Sequence, residues 1–266
     1  MKAENLNIER GVHFTINRGD SVLIVGSSGC GKSSLLRAIA GLWKFGEGDI
    51  QWITSSNSSS NSTTTNGKKL EDDVNIDVAP EEVFFLPQKP YNIPGSLRLQ
   101  IAYPKFTDED DIFNTTSAHR SDVDDKLLDI LKAVRLGNLA ARLGSGDEVA
   151  GLQIQADWSK ILSLGEQQRL SFARAIYNEP SVIILDESTS AMDLESEKHM
   201  YSLLRKQGVT YISVGHRPSL LPHHSRKMTL RGPGENIDIV DIDVKESEAS
   251  SMKATLSVPE NLTLLN

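Results

Sequence analysis

Apolar residues along this chain come in two rhythms, and the switches between them mark its elements. Unbroken apolar or β-branched runs at 21–25, 84–86, 182–185 and 210–214 have strand length and lack the alternation of a half-solvated strand. They predict strands covered on both faces. Between them lie helical patterns at 34–40, 125–136 and 162–176. In the second of these Leu127, Leu128, Ile130, Leu131 and Val134 share one face, and Gly137 is expected to close the helix. Strands alternating with helices predict an α/β fold built on a parallel sheet.

Three polar stretches interrupt this order. Residues 54–69 are a Ser/Thr/Asn tract, expected to be a disordered loop between two strands. Asn57 and Asn61 open nominal glycosylation sequons in it, which are expected to go unused. Residues 107–125, with Asp108, Glu109, Asp110, Asp111, Asp122, Asp124 and Asp125, read as a second disordered insertion, a solvated acidic loop. Residues 232–266 form an acidic tail with weak strand alternation at 237–244 and no assigned chemistry. His223 and His224 are expected at the surface.

Composition narrows the class. At 266 residues the chain is one large domain, or one domain with a lobe. No apolar run approaches the ~18 residues of a spanning helix, and the opening residues lead to no signal-peptide core. A lone cysteine, Cys30, excludes an internal disulfide framework and suits a reducing compartment. The net charge of −8 without a basic cluster argues against a nucleic-acid partner.

The chemistry begins directly after the first strand run. Gly26, Ser27, Ser28, Gly29, Cys30, Gly31, Lys32 and Ser33 spell G-x-x-x-x-G-K-S, followed by Ser34 and a helical run. In such a loop, glycines let successive backbone N–H groups face a nucleotide's phosphates, and the helix adds the positive end of its dipole. Lys32 is placed to reach the β- and γ-phosphates, and Ser33 to ligate Mg²⁺.

Four further stations follow in order. Strand 84–86 runs through Pro87 into Gln88; Leu162, Ser163, Leu164, Gly165, Glu166 and Gln167 open a helix; strand 182–185 ends in Asp186 and Glu187; and Ser190 to Asp193 precede a strand that leads to Gly215, His216 and Arg217. Ordered in this way, the set resembles the ATP-binding cassette (ABC) transporter nucleotide-binding domain over roughly residues 12–230. Gly41-Leu42-Trp43, Tyr103-Pro104, Asp157-Trp158 and His216-Arg217-Pro218-Ser219-Leu220 look like subfamily D, the peroxisomal fatty-acyl half-transporters, and their bacterial and plastid-type relatives, and the form of 163–169 with 212–218 is closer to the cyanobacterial-like relatives than to the peroxisomal members.

The resemblance implies a P-loop NTPase core (1–88 and 161–231) interrupted by a helical lobe (89–160) that carries the signature at its end. Gly26 to Ser33 becomes the Walker A loop, Gln88 the Q-loop glutamine, Asp186 the Walker B aspartate, Glu187 the catalytic glutamate, 190–193 the D-loop and His216 the switch histidine. Mg²⁺ would be held by Ser33, Asp186 and Gln88. ATP would contact the loop, Lys32 and Ser34, with Ser163, Gly165 and Glu166 of a second subunit closing a head-to-tail dimer. The family's adenine-stacking aromatic, about two dozen residues before the loop, would fall at or before Met1, so that contact is expected to be missing or supplied from elsewhere. Most members carry two glycines in the signature, where this chain has Leu164 and Gly165.

The partners implied are a second ABC ATPase domain, identical or not, and a transmembrane domain on the same full-length protein or on a partner chain. The expected location is the cytosolic or stromal face of a membrane of the peroxisomal or plastid kind, and the expected cargo fatty-acyl, hydrophobic or carboxylate. Two other readings are a soluble ABC ATPase in assembly or DNA maintenance, against which the subfamily D-like segments argue, and a degenerate nucleotide-binding regulator. Against the second stands the presence of Lys32, Asp186, Glu187 and His216 together.

Overall fold

The computed structural model describes residues 14–43, 49–51, 75–77, 83–108, 117–231 and 237–242. Its strands are β1 (Ser21–Gly26), β2 (Asp49–Gln51), β3 (Asn75–Asp77), β4 (Val83–Leu86), β5 (Val182–Asp186), β6 (Thr210–Val214), β7 (Arg226–Leu230) and β8 (Asp238–Asp241). Its helices are α1 (Lys32–Ile39), α2 (Leu97–Ala102), α3 (Ser117–Ala133), α4 (Gly137–Leu143), α5 (Glu148–Leu152), α6 (Trp158–Ile161), α7 (Leu164–Asn178) and α8 (Leu194–Gln207), with a 3₁₀ turn at Pro218–His223.

The main sheet runs β4-β5-β6-β1-β7-β8, parallel except for β8, which pairs antiparallel with β7. The weak alternation at 237–244 thus marks an edge strand, and part of the acidic tail belongs to the sheet. β2 and β3 form a separate parallel pair. The 54–69 tract lies outside the described residues.

Although β1 and β5 read as continuous apolar runs, their side chains divide by alternation. Leu23, Ile183 and Leu185 face a core shared with α2, α3, α7 and α8, whereas Val22, Ile24, Ile184 and Val214 face a second core closed by Leu36 and Ile39 of α1. Covering both faces is what a parallel sheet requires. The first cluster joins strand residues to those of α2, α3, α4 and α5 without a break.

Strand register positions the site. Ile24 of β1 and Asp186 of β5 both pair with Val214 of β6, and Leu86 of β4 pairs with Leu185. The residues that follow, Gly26 to Ser33, Glu187, His216 and Gln88, therefore leave the sheet side by side at its carboxyl edge, where ligands gather in open α/β sheets.

Buried polar groups tie the helices to that edge. Arg174 of α7 donates to the Gln100 carbonyl oxygen (2.7 Å) and the Tyr91 carbonyl oxygen (3.2 Å) and lies over the Tyr91 ring. Burial lowers its pKa. Asn92 donates to Gln167 at 3.0 Å, linking the stretch after Gln88 to the signature helix. Trp158, fully buried, donates from Nε1 to the Gly95 carbonyl oxygen at 3.0 Å.

Three sequence-based expectations are corrected. Gly137 does not close a helix but opens α4; α3 stops at Ala133, and Arg135 takes the left-handed turn at φ 60°. Residues 117–125 are helical rather than looped, and Asp124 is buried, accepting two hydrogen bonds from buried Arg98 at 2.7 and 2.8 Å. The physical cause is spacing, because Asp124 stands three, four and seven residues before Leu127, Leu128 and Leu131 on one helical face. Residues 109–116 of that stretch lie outside the described residues.

The third correction concerns His224, which is buried rather than at the surface, while its neighbour His223 is half-buried. His224 is 1% exposed, its Nδ1 donates to the Leu220 carbonyl oxygen at 2.7 Å, and its ring meets Tyr201 and Tyr211 edge-on. His223 stacks on Tyr201. Burial pushes the His224 imidazole down to about 3 and His223 to about 4. Since the unfolded rings titrate near their ordinary value, the unfolded chain binds protons between about pH 6.5 and 3 that the folded chain refuses. Stability present above about pH 6.5 is lost as pH falls through this window. For His224 the loss between pH 7 and 5 should be about 2 kcal/mol, at about 1.4 kcal/mol per unit. Urea midpoints at the two pH values should show it, with a shallower drop in His224→Phe; identical drops would remove His224 as the cause.

Candidate active site

The phosphate loop turns between β1 and α1 through Gly29 and Gly31, which hold φ of 80° and 99°, a left-handed range that a side chain would strain. Ser27, Ser28 and Gly29 are exposed at its tip, while Ser33 and Ser34 are half-buried at the start of α1. Lys32 is buried, and its Nζ donates to the Gly26 and Ser27 carbonyl oxygens at 2.9 and 2.8 Å. This places a cation directly under the loop. Cys30 is oriented differently from its neighbours: its thiol is buried among Val22, Ile24 and Leu36, so only its backbone is available to a phosphate.

Beside the loop, Ser33 Oγ donates to Asp186 Oδ1 at 2.8 Å, joining α1 to the end of β5. The adjacent Glu187 has a left-handed backbone, φ 49°, with its N–H donating to the Val214 carbonyl oxygen at 3.1 Å. A non-glycine residue held there is a conformation retained only where surrounding contacts enforce it. Its carboxylate is gripped from both sides, by Gln88 Nε2 at 2.8 Å and by His216 Nε2 at 3.2 Å. The structure thus brings Lys32, Ser33, Asp186, Gln88, Glu187 and His216 into one site.

The signature residues stand apart from this group, and no hydrogen bond among the described residues joins 162–166 to the phosphate loop. Ser163 caps α7 in a capping box, its hydroxyl accepting from the Glu166 N–H at 3.3 Å while Glu166 Oε2 accepts from the Ser163 N–H at 2.9 Å. Burial pushes the Glu166 carboxyl up, but bonds from Ser163 and the Arg142 guanidinium outweigh it and hold the pKa low. The Glu166 carboxylate is therefore committed to the cap and to Arg142, 3.1 Å away, rather than free to meet a phosphate.

Hydroxyl and carboxylate oxygens meeting at Ser33 and Asp186 fit Mg²⁺, a hard cation that takes few protein ligands and completes its shell with water and phosphate oxygens. Gln88 fits only through its amide oxygen, since an amide nitrogen has no free lone pair for a metal, and its Nε2 donates to Glu187.

Fold and site define a P-loop NTPase. A family model described as ABC transporter matches residues 10–190, and the chain belongs to that family. It is 40% identical over 227 residues to an uncharacterized ABC transporter ATP-binding protein of Synechocystis sp., covering 85% of this chain and 28% of that protein. It is 35% identical over 255 residues to ABC transporter D family member 2, chloroplastic, of Arabidopsis thaliana, covering 86% of this chain and 33% of that protein. The chain therefore spans about a third of the length of these curated relatives. Among solved structures, a bacterial Atm1-family ABC exporter with ATP bound superposes with a TM-score of 0.62 over 96% of this chain and 40% of the exporter, at 20% identity, a likeness of fold. Among the described residues no helix is long and apolar enough to cross a membrane.

Sequence reasoning missed several residues that shape the site. Arg217 and Glu197 bind the loop after Glu187, and Gln168 binds it from the signature helix. The only prior signal was the position of Arg217 directly after His216.

Proposed function

We propose that this chain is the ATP-hydrolysing domain of an ABC half-transporter, working as a head-to-tail dimer that holds two ATP molecules between the phosphate loop of one subunit and the signature helix of the other. The observation that carries this reading is the convergence of Lys32, the Ser33–Asp186 pair and the Gln88–Glu187–His216 line on one sheet edge. Lys32 exchanges its loop carbonyls for the β- and γ-phosphate oxygens. Glu187, oriented by Gln88 and His216, positions the attacking water and takes its proton on the carboxylate. His216 then donates toward the γ-phosphate, while the N-terminus of α7, a capped helix of 15 residues, offers N–H groups to the same phosphate from the partner subunit. Mg²⁺ held by Ser33 and Asp186 would neutralise charge that builds on the phosphate oxygens.

Closing on ATP and opening after hydrolysis drives a transmembrane domain carried on the remainder of a full-length protein or on a partner chain, at the cytosolic or stromal face of a membrane. The subfamily D likeness supports a fatty-acyl, hydrophobic or carboxylate cargo. The test is phosphate release from Mg-ATP. Lys32→Ala should weaken ATP binding roughly ten- to a hundredfold, the scale of a charge-assisted hydrogen bond worth about 1.5–3 kcal/mol, and should remove turnover. Turnover at the wild-type rate in Lys32→Ala would rule the site out.

A further inference from the structure

The loop between β5 and α8 is held from two sides. On the signature side, Gln168 of α7 accepts the Ala191 N–H at 2.9 Å, and its Nε2 donates to Ser190 Oγ at 3.2 Å. Gly165 makes this approach feasible, because a Cβ there would come within 3.0 Å of the Ala191 carbonyl oxygen. On the opposite side Arg217 donates through Nη2 to the Ser190 carbonyl oxygen at 2.7 Å and through Nη1 to the Met192 carbonyl oxygen at 2.9 Å. The same Nη1 lies 3.4 Å from Glu197 Oε2.

Glu197 belongs to α8 and is 1% exposed. Its carboxylate also accepts from Thr189 Oγ1 at 2.9 Å and Ser219 Oγ at 2.6 Å. A buried carboxylate is retained only when its oxygens are satisfied, and here every donor comes from one of two loops, 188–193 or 216–219. Arg217 is covalently next to His216, which reaches Glu187. The roles given above to the motif residues do not account for this pair.

We propose that Arg217, braced by Glu197, is a positioning residue for hydrolysis: its guanidinium fastens the Ser190 and Met192 carbonyls to the switch loop and thereby sets His216 against Glu187. The proposal rests on the ATPase reading of the same site. Two carbonyl oxygens and a carboxylate need the flat, multi-donor fork of arginine, which a lysine ammonium does not reproduce.

The test uses the full chain with Arg217→Met, Arg217→Lys, Glu197→Gln and Glu197→Ala. Both Arg217 variants should lower kcat roughly ten- to a hundredfold, the scale of a catalytic group displaced by about 1 Å, while ATP affinity stays at the wild-type value. Glu197→Gln, which keeps the shape and one acceptor, should recover part of the loss seen in Glu197→Ala. In a His216→Ala background Arg217→Met should cost nothing further, since it acts through that ring. Amide exchange at 190–193 should quicken in Arg217→Met even without nucleotide. Losses that multiply with His216→Ala, or a kcat within twofold of wild type, would overturn the proposal. Unchanged exchange at 190–193 would overturn the clamp whatever the activity. A wild-type chain that releases no phosphate would sink the ATPase reading instead, with the exchange measurement still deciding the clamp.

Discussion

Glu187→Gln is expected to slow ATP hydrolysis about a hundredfold or more, the usual scale for a lost general base, with ATP binding preserved. The glutamine keeps the volume and one acceptor oxygen; Gln88 Nε2 at 2.8 Å and His216 Nε2 at 3.2 Å bond different oxygens of Glu187, so His216 keeps the remaining oxygen and the Gln88 amide turns over to accept from the new NH2. What disappears is the oxygen able to take a proton from water. Because binding persists while the chemistry stalls, the variant should remain dimeric with Mg-ATP in a sizing experiment. Turnover at the wild-type rate would remove Glu187 from the proton-accepting role and leave Asp186, already engaged by Ser33, as the only carboxylate of the Asp186–Glu187 pair.

The second large effect is expected from Ser163→Arg, which should abolish hydrolysis and leave ATP binding to a single subunit intact. Lys32 and Ser33 are untouched by the change, and Ser163 makes its hydrogen bonds to Glu166 rather than to the phosphate loop. Losing the helix cap costs about 1 kcal/mol, too little to unfold a domain with a core of this extent, so lost activity would reflect the dimer seam. Specific activity of the unaltered chain should rise with protein concentration, because only dimers are competent. Mixing Ser163→Arg with excess Lys32→Ala should restore at most one composite site per heterodimer, built from the Lys32 of the first and the Ser163 of the second. Activity independent of concentration, together with a fully active Ser163→Arg, would show that the signature does not act across subunits.

The phosphate loop and the candidate residues Gln88, Asp186, Glu187 and His216 were legible in the chain because each stands directly after a strand run. A G-x-x-x-x-G-K-S run after a β-branched strand needs no distant partner to be recognised, and neither does a carboxylate pair closing an apolar run. Alternation of runs also announced the parallel sheet. The acidic stretch was misread because charge was weighed over spacing: Asp124 shares its helix face with Leu127, Leu128 and Leu131, and its partner Arg98 lies 26 residues earlier. His224 was misread for a similar reason, since its aromatic surroundings come from Tyr201 on α8 and Tyr211 on β6.

The sequence by itself determined which candidate residues stand at the strand ends and in the phosphate loop, since phosphate contact, metal ligation and proton transfer are properties of side chains and of the local turns that present them. Only the tertiary structure decided their arrangement. The β4-β5-β6-β1 register brings Gln88, Glu187, His216 and the loop to one edge, the thiol of Cys30 turns into the core, and Arg217 meets Glu197 beneath the loop after Glu187. Each of these depends on burial and on pairing between segments far apart in the chain, where the cost of an unsatisfied buried charge, rather than any local preference, selects the partner.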